Sequence, residues 1–199
     1  MAAERASASS PRGVNRTIRR RASAGSSARS AYPAATSRST APEESRPAMR
    51  QTAAAFGELP DAVAKLATSP ELLNGFLAMS HSFENCTLDP ISVEVVTMVV
   101  ATHNDCHVCV RVHTARLRRL HADPTLITAL RSRNPLPDNR LEALRTFTLA
   151  ALATTGNVDD HTLTTFLAHG YTERNALEVV LGIGTYTMST FANRLIRAI

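Results

Sequence analysis

The chain has 199 residues, enough for one full domain and a tail but not for two ordinary domains. Its net charge of +5 is unevenly placed: residues 1–48 hold 9 Arg against Glu4, Glu43 and Glu44, so residues 49–199 sum to −1. A near-neutral remainder argues against a nucleic-acid-binding domain, and three cysteines are too few for a disulfide scaffold.

In chain order, residues 1–48 come first, with 12 Ala and 10 Ser and only Val14 and Ile18 as large aliphatic residues. Such a segment cannot bury enough apolar surface to offset its ordering entropy, so it is expected to be a disordered Arg/Ser/Ala-rich tail, with the folded domain at 49–199. Its composition matches an organellar transit peptide. The scattered arginines and Pro11, Pro33, Pro42 and Pro47 leave little helical amphipathicity, which favours a non-structural extension with Met49 as the real start. No apolar run approaches a membrane span, and no signal-peptide apolar core is evident. The expectation is a cytoplasmic protein with neither a membrane nor a specific nucleic-acid partner.

From about residue 56 the pattern turns helical. Ser69-Pro70-Glu71 supplies a capping hydroxyl, a proline in the first turn and an acid for the dipole, and opens a helix bearing Leu72, Leu73, Phe76, Leu77 and Met79. Asp89-Pro90 and Asp123-Pro124 repeat that signal. The stretch Ile91–Val100 is β-branched enough for a strand, but Ile91, Glu94, Val95, Met98 and Ala101 recur at helical spacing and no strand partner exists. It is expected to be a helix. Asp105 is expected to cap a helix running to about His121, with Arg116, Arg118 and Arg119 in its later turns. Residues 141–155 form the next, closed by Gly156; residues 159–168 form a short one closed by Gly170. Thr172-Glu173 opens the last, through Gly182 and Gly184, which could permit close helix contact. The expected fold is all-α, a bundle of about seven helices.

The chemistry concentrates in Glu94 through His113. On a helix from Asp105, Cys106, Cys109 and His113 share one face, continued by Leu117 and Leu120, with Arg111, Thr114 and Arg118 opposite. A helix N-terminus favours thiolate, the reactive form, and a second thiol one turn away can turn a sulfenic acid into a disulfide before over-oxidation. Glu94, on an apolar stripe, would be desolvated and is a candidate proton acceptor. Two rival readings stay open. His103, Cys106, Cys109 and His113 are four ligands for a structural zinc, although one continuous helix spreads them too far for a tetrahedron. The same residues could also be plain packing. Cys86 reads as a small buried hydrophobe, and His81, His121, His161 and His169 have no usable spacing.

The pattern Glu94-x11-Cys106-x2-Cys109-x3-His113 resembles the signature of the AhpD-like branch of the carboxymuconolactone decarboxylase superfamily. Asn104 and the segment Phe191-Ala-Asn-Arg-Leu195 fit the same branch, and the resemblance covers roughly residues 56–199. It implies an all-helical homo-oligomer that reduces hydroperoxides through its cysteine pair, without a metal or organic cofactor. Cys109 then matches the peroxidatic thiol, Cys106 the resolving thiol, and Glu94 with His113 a proton relay. An external dithiol, of lipoyl or thioredoxin-like type, would regenerate the pair. Val108 stands where some members carry a second histidine, and His107 lies about 100° round the helix from that position. Lactone-decarboxylating members lack the cysteine pair. Other readings fit the residues: a disulfide reductase serving a separate peroxidase, a zinc-stabilised module without catalysis, or a nucleic-acid binder using the basic tail.

Overall fold

The computed structural model describes residues 39–198, all within one compact unit. Among the described residues there are nine α-helices, a short 3-10 turn at Glu43–Ser45 and no strand. The helices are α1 (Arg46–Phe56), α2 (Asp61–Leu66), α3 (Pro70–Glu84), α4 (Pro90–His103), α5 (His107–Arg119), α6 (Pro124–Ser132), α7 (Asn139–Ala153), α8 (Asp160–Ala168) and α9 (Glu173–Leu195). None is long and apolar enough to cross a membrane. The all-α expectation holds, with two more helices than expected. Neither α1 nor α2 carries a side-chain cap, so a search for cap signals passes over them. The alanine run of α1 supplies its helical preference instead.

The ordered fold also begins earlier than composition indicates. Ala41, Ser45, Ala48 and Met49 are buried, and with Leu66, Ala67 and Leu73 the apolar ones form a small second core. Ser45 Oγ donates to Ala67 O at 2.8 Å within it. Residues 39–48 therefore belong to the domain, because small side chains fill narrow gaps as effectively as large ones fill wide ones. The rest of the expected tail, 1–38, lies outside the described residues.

Side-chain caps fall where the sequence signals put them. Ser69, Asp89, Asp123, Asp159 and Thr172 each accept a backbone N–H of the following first turn. Asp138, not anticipated, does the same for α7. Asp105 does not. Its φ of 51° is left-handed, its own N–H goes to Thr102 O, and the Cys106 N–H goes to Ala101 O at 2.9 Å. That pair of bonds closes a helix from behind. Asp105 thus ends α4 rather than starting α5, and Cys106 becomes the residue that opens α5. Similar turns follow α5, α6 and α7 at His121, Arg133 and Thr155. A non-glycine residue there costs roughly 1–2 kcal/mol, and the endings of α4, α5 and α6 carry no glycine to announce them, whereas Gly156 follows Thr155 at the end of α7.

At the centre lies α4, packed against α3, α5, α6, α7 and α9. Every residue from Ser92 to Thr102 is buried. The stripe inferred from spacing is therefore a helix covered all round, as its continuous apolar sequence requires. Its β-branched residues cost a few tenths of a kcal/mol each in helical preference, against about 1.5–3 kcal/mol for burying a large aliphatic side chain. Burial decides. Gly182 of α9 serves contact with α3: a Cβ there would lie 2.5 Å from the Phe83 ring.

Candidate active site

The tight ending of α4 delivers the chain directly into the cysteine pair. Cys106 and Cys109 form a disulfide with Cα atoms 5.4 Å apart. No side chain caps the N-terminus of α5. Cys106, in extended conformation, therefore sits before the helix rather than on its face, and Cys109 sits in its first turn. Both are buried. Two other assignments on α5 change as well. Thr114 is buried with the cysteines and His113, whereas Leu120 is exposed.

Glu94 and His113 meet because α4 and α5 pack side by side. Glu94 Oε2 lies 2.8 Å from His113 Nδ1, and the residues are only 3% and 6% exposed. A carboxylate accepting from Nδ1–H fixes the tautomer that leaves a lone pair on Nε2. His113 stands one turn beyond Cys109 and borders the same cavity, of about 940 Å³. Phe76, Leu77 and Val63 contribute to the apolar wall of that cavity. Cys106 borders a different recess, of about 560 Å³, with His107, Arg111 and Arg194. The disulfide thus bridges two openings.

Several residues of this site carried no signal in the sequence. Arg116, read there only as a cation suited to a helix C-terminus, bonds Glu84 Oε1 at 2.8 Å and reaches Glu94 Oε1 at 3.5 Å. The Glu84 hydrogen bond raises the guanidinium above its already high range despite burial, so it stays charged. Burial pushes the Glu84 carboxyl up, but the hydrogen bond and charge of Arg116 outweigh it and hold the group below its ordinary value. Tyr186 of α9 stands edge-on to the His113 ring, centroids 5.2 Å apart, and burial raises its phenol. The segment 191–195 also gains a role. Arg194 donates to Asn104 O, Asn104 Nδ2 donates to Thr190 Oγ1 at 2.9 Å, and Asn193 Nδ2 donates to Cys109 Sγ at 3.5 Å. Helix α9 therefore grips the turn that holds the cysteines. Arg133 adds bonds to Thr102 O and Asp105 from α6.

The remaining candidates stand apart. His103 is exposed, and no three His, Cys, Asp or Glu side chains among the described residues gather into a metal-binding group. Cys86 is half-buried between α3 and α4, and burial pushes its thiol up, away from reactive thiolate. His81 borders the large cavity although its spacing gave no hint of it.

Residues 70–134, which include Glu94, Cys106, Cys109 and His113, match the carboxymuconolactone decarboxylase family. That match spans α3 to α6, and the fold around it is like that of AhpD proteins. An uncharacterized peroxidase-related protein from Ralstonia eutropha, with an AhpD core, superposes with a TM-score of 0.74 at 20% identity, over 84% of this chain and 90% of that one. A peroxidase-related protein from a Silicibacter species gives 0.68 at 22% identity, over 79% and 85%. A debrominase solved with 2,3,4-tribromopyrrole gives 0.65 at 14% identity, over 79% and 85%. At these identities the likeness shows the fold alone. Among curated proteins none matches the sequence.

Proposed function

We propose that the protein is a thiol peroxidase that reduces alkyl hydroperoxides or hydrogen peroxide through the Cys106–Cys109 pair. One observation carries this reading: His113, hydrogen-bonded to the buried Glu94, borders the same cavity as Cys109. His113 Nε2 takes the proton of the Cys109 thiol, and Glu94 stabilises the resulting imidazolium. The thiolate attacks the distal peroxide oxygen. The O–O bond breaks, the leaving alkoxide takes the proton from His113, and Cys109 becomes a sulfenic acid. Cys106 then attacks the Cys109 sulfur and displaces water, forming the disulfide. An external dithiol, lipoyl-type or thioredoxin-like, accepts the oxidising equivalents and restores both thiols. No cofactor is needed.

We also propose assembly into a homo-oligomer. Its support is the outer face of α9, where Leu177, Val180, Phe191 and Leu195 are all more than half exposed. Apolar exposure along one helix face is what a subunit contact covers.

The test counts thiols and measures mass before and after one equivalent of peroxide. The expected product is an intramolecular Cys106–Cys109 disulfide. Cys109→Ser should abolish turnover, while Cys106→Ser should still form a sulfenic acid on Cys109. Activity surviving Cys109→Ser but lost in Cys106→Ser would reverse the two roles. Turnover only when a partner peroxidase is added would make the protein that partner's disulfide reductase. Stoichiometric zinc with unfolding by chelator would favour the metal-stabilised module. Because a debrominase shares the fold, 2,3,4-tribromopyrrole belongs in the assay as a rival oxidant.

A further inference from the structure

We propose that Asn193 is a catalytic residue at the Cys109 sulfur, its amide N–H holding the thiolate and its amide oxygen receiving the O–H of the incoming hydroperoxide. The inference rests on the reading of Cys109 as the nucleophile. Asn193 lies 84 residues from Cys109 in sequence, yet its Nδ2 donates to Sγ at 3.5 Å. The residue is 5% exposed and borders both the large cavity and the recess on the Cys106 side. Its Oδ1 is buried without a hydrogen-bond partner.

A purely structural asparagine at this point would be a poor choice. Leaving a buried acceptor unmade is costly, and leucine would fill a similar volume without that penalty. The orphaned oxygen makes sense if its donor is absent until substrate arrives. A hydroperoxide brings one O–H, on the distal oxygen that the thiolate attacks. That hydrogen stays on the same oxygen through the transfer and becomes the sulfenic O–H. An acceptor beside Cys109 can therefore hold it before and after the O–O bond breaks.

The donor end works on the sulfur itself. A disulfide sulfur is a weak acceptor, whereas a thiolate makes a charge-assisted bond. The contact strengthens whenever Cys109 bears charge. That happens before attack on peroxide, and again when an external thiolate attacks Cys106, the S–S bond breaks and its electron pair passes to Cys109. Placement is secured by the neighbours already described: Thr190 and Arg194, on either side along α9, hold Asn104 of the cysteine turn. Asn193 is kept against the sulfur as the helix and turn are kept together.

The test reads Cys109 without any peroxide. In a Cys106→Ser background, iodoacetamide alkylation of Cys109, located by mass, is followed against pH for Asn193, Asn193→Leu and Asn193→Asp. Loss of the donor should shift the thiolate titration upward by about one pH unit, an about tenfold slower alkylation below it. Asn193→Asp, nearly isosteric and so safe for folding, should shift it at least as far, because a carboxylate opposes thiolate. In the intact dithiol protein, Asn193→Leu should slow single-turnover reaction with peroxide by more than its thiolate shift accounts for, since the acceptor is lost too, whereas Asn193→Asp, which keeps an acceptor oxygen, should slow it by no more than its shift. Alkylation profiles identical to the parent in both folded variants would overturn the proposal. If the profiles shift but even the parent fails to react with peroxide, Asn193 still governs the sulfur and it is the peroxidase reading that falls.

Discussion

Two polar clusters flank the cysteine turn, and they are built to opposite specifications. Glu94 and His113 lie almost wholly out of water, held by each other, by Arg116 and by the Tyr186 ring. Asp105, Arg133 and Arg194 hold the other side of the turn with side chains more than half exposed. A buried pair cannot trade its partner for water, so breaking it costs about 3–5 kcal/mol, while an exposed ion pair contributes about 0–1 kcal/mol. The inner cluster therefore couples stability to chemistry. The outer one sets the direction of the turn at little energetic risk.

The largest expected effect strikes the inner cluster. Glu94→Gln and His113→Gln should each slow peroxide-dependent thiol loss by about 10²-fold, and the double variant should be little worse, because the groups act as a unit. The defects should shrink as pH rises towards the range where an unassisted thiol ionises. Rates followed against pH for the four proteins check this. Defects constant with pH, accompanied by falling melting temperatures, would reduce the pair to a packing role.

A smaller effect comes from Ser45, a buried polar contact outside the site. Deleting residues 1–48 removes its hydrogen bond and the packing of Ala41 and Ala48, whereas deleting 1–38 spares them. The longer deletion should be less stable than the shorter by about 2 kcal/mol in a urea titration. Equal stability would return the domain boundary to residue 49.

Acid should loosen the rim of the inner cluster next. Glu84 ionises below its ordinary value of 4.5, so its bond to Arg116 stabilises the fold fully above that pH. The contribution is lost as pH falls through the depressed folded value. Melting temperature should drop between about pH 5 and pH 3. The drop should be shallower in Glu84→Gln; parallel curves for the two proteins would show that the Arg116 bridge does not carry it.

The smallest effect belongs to the outer cluster. Asp105→Asn keeps a residue that tolerates the left-handed conformation and removes the charge. Stability should change by no more than about 1 kcal/mol. A loss approaching that of the buried pair would erase the contrast between the two sides.

What the sequence determined by itself is local. Ser69, Asp89, Asp123, Asp159 and Thr172 mark helix starts because a short polar side chain satisfies backbone groups within its own first turn. The spacing of Cys109 and His113 sets them one turn apart for the same reason. Asp105 shows the limit: the same residue type closes α4 instead, since left-handed endings depend on the chain that follows. Tertiary structure alone decided that Arg116 reaches Glu84, that Tyr186 stands against His113 and that Asn193 touches Cys109. Those contacts span from 32 to 84 residues, and no local period encodes a distance set by how whole helices pack.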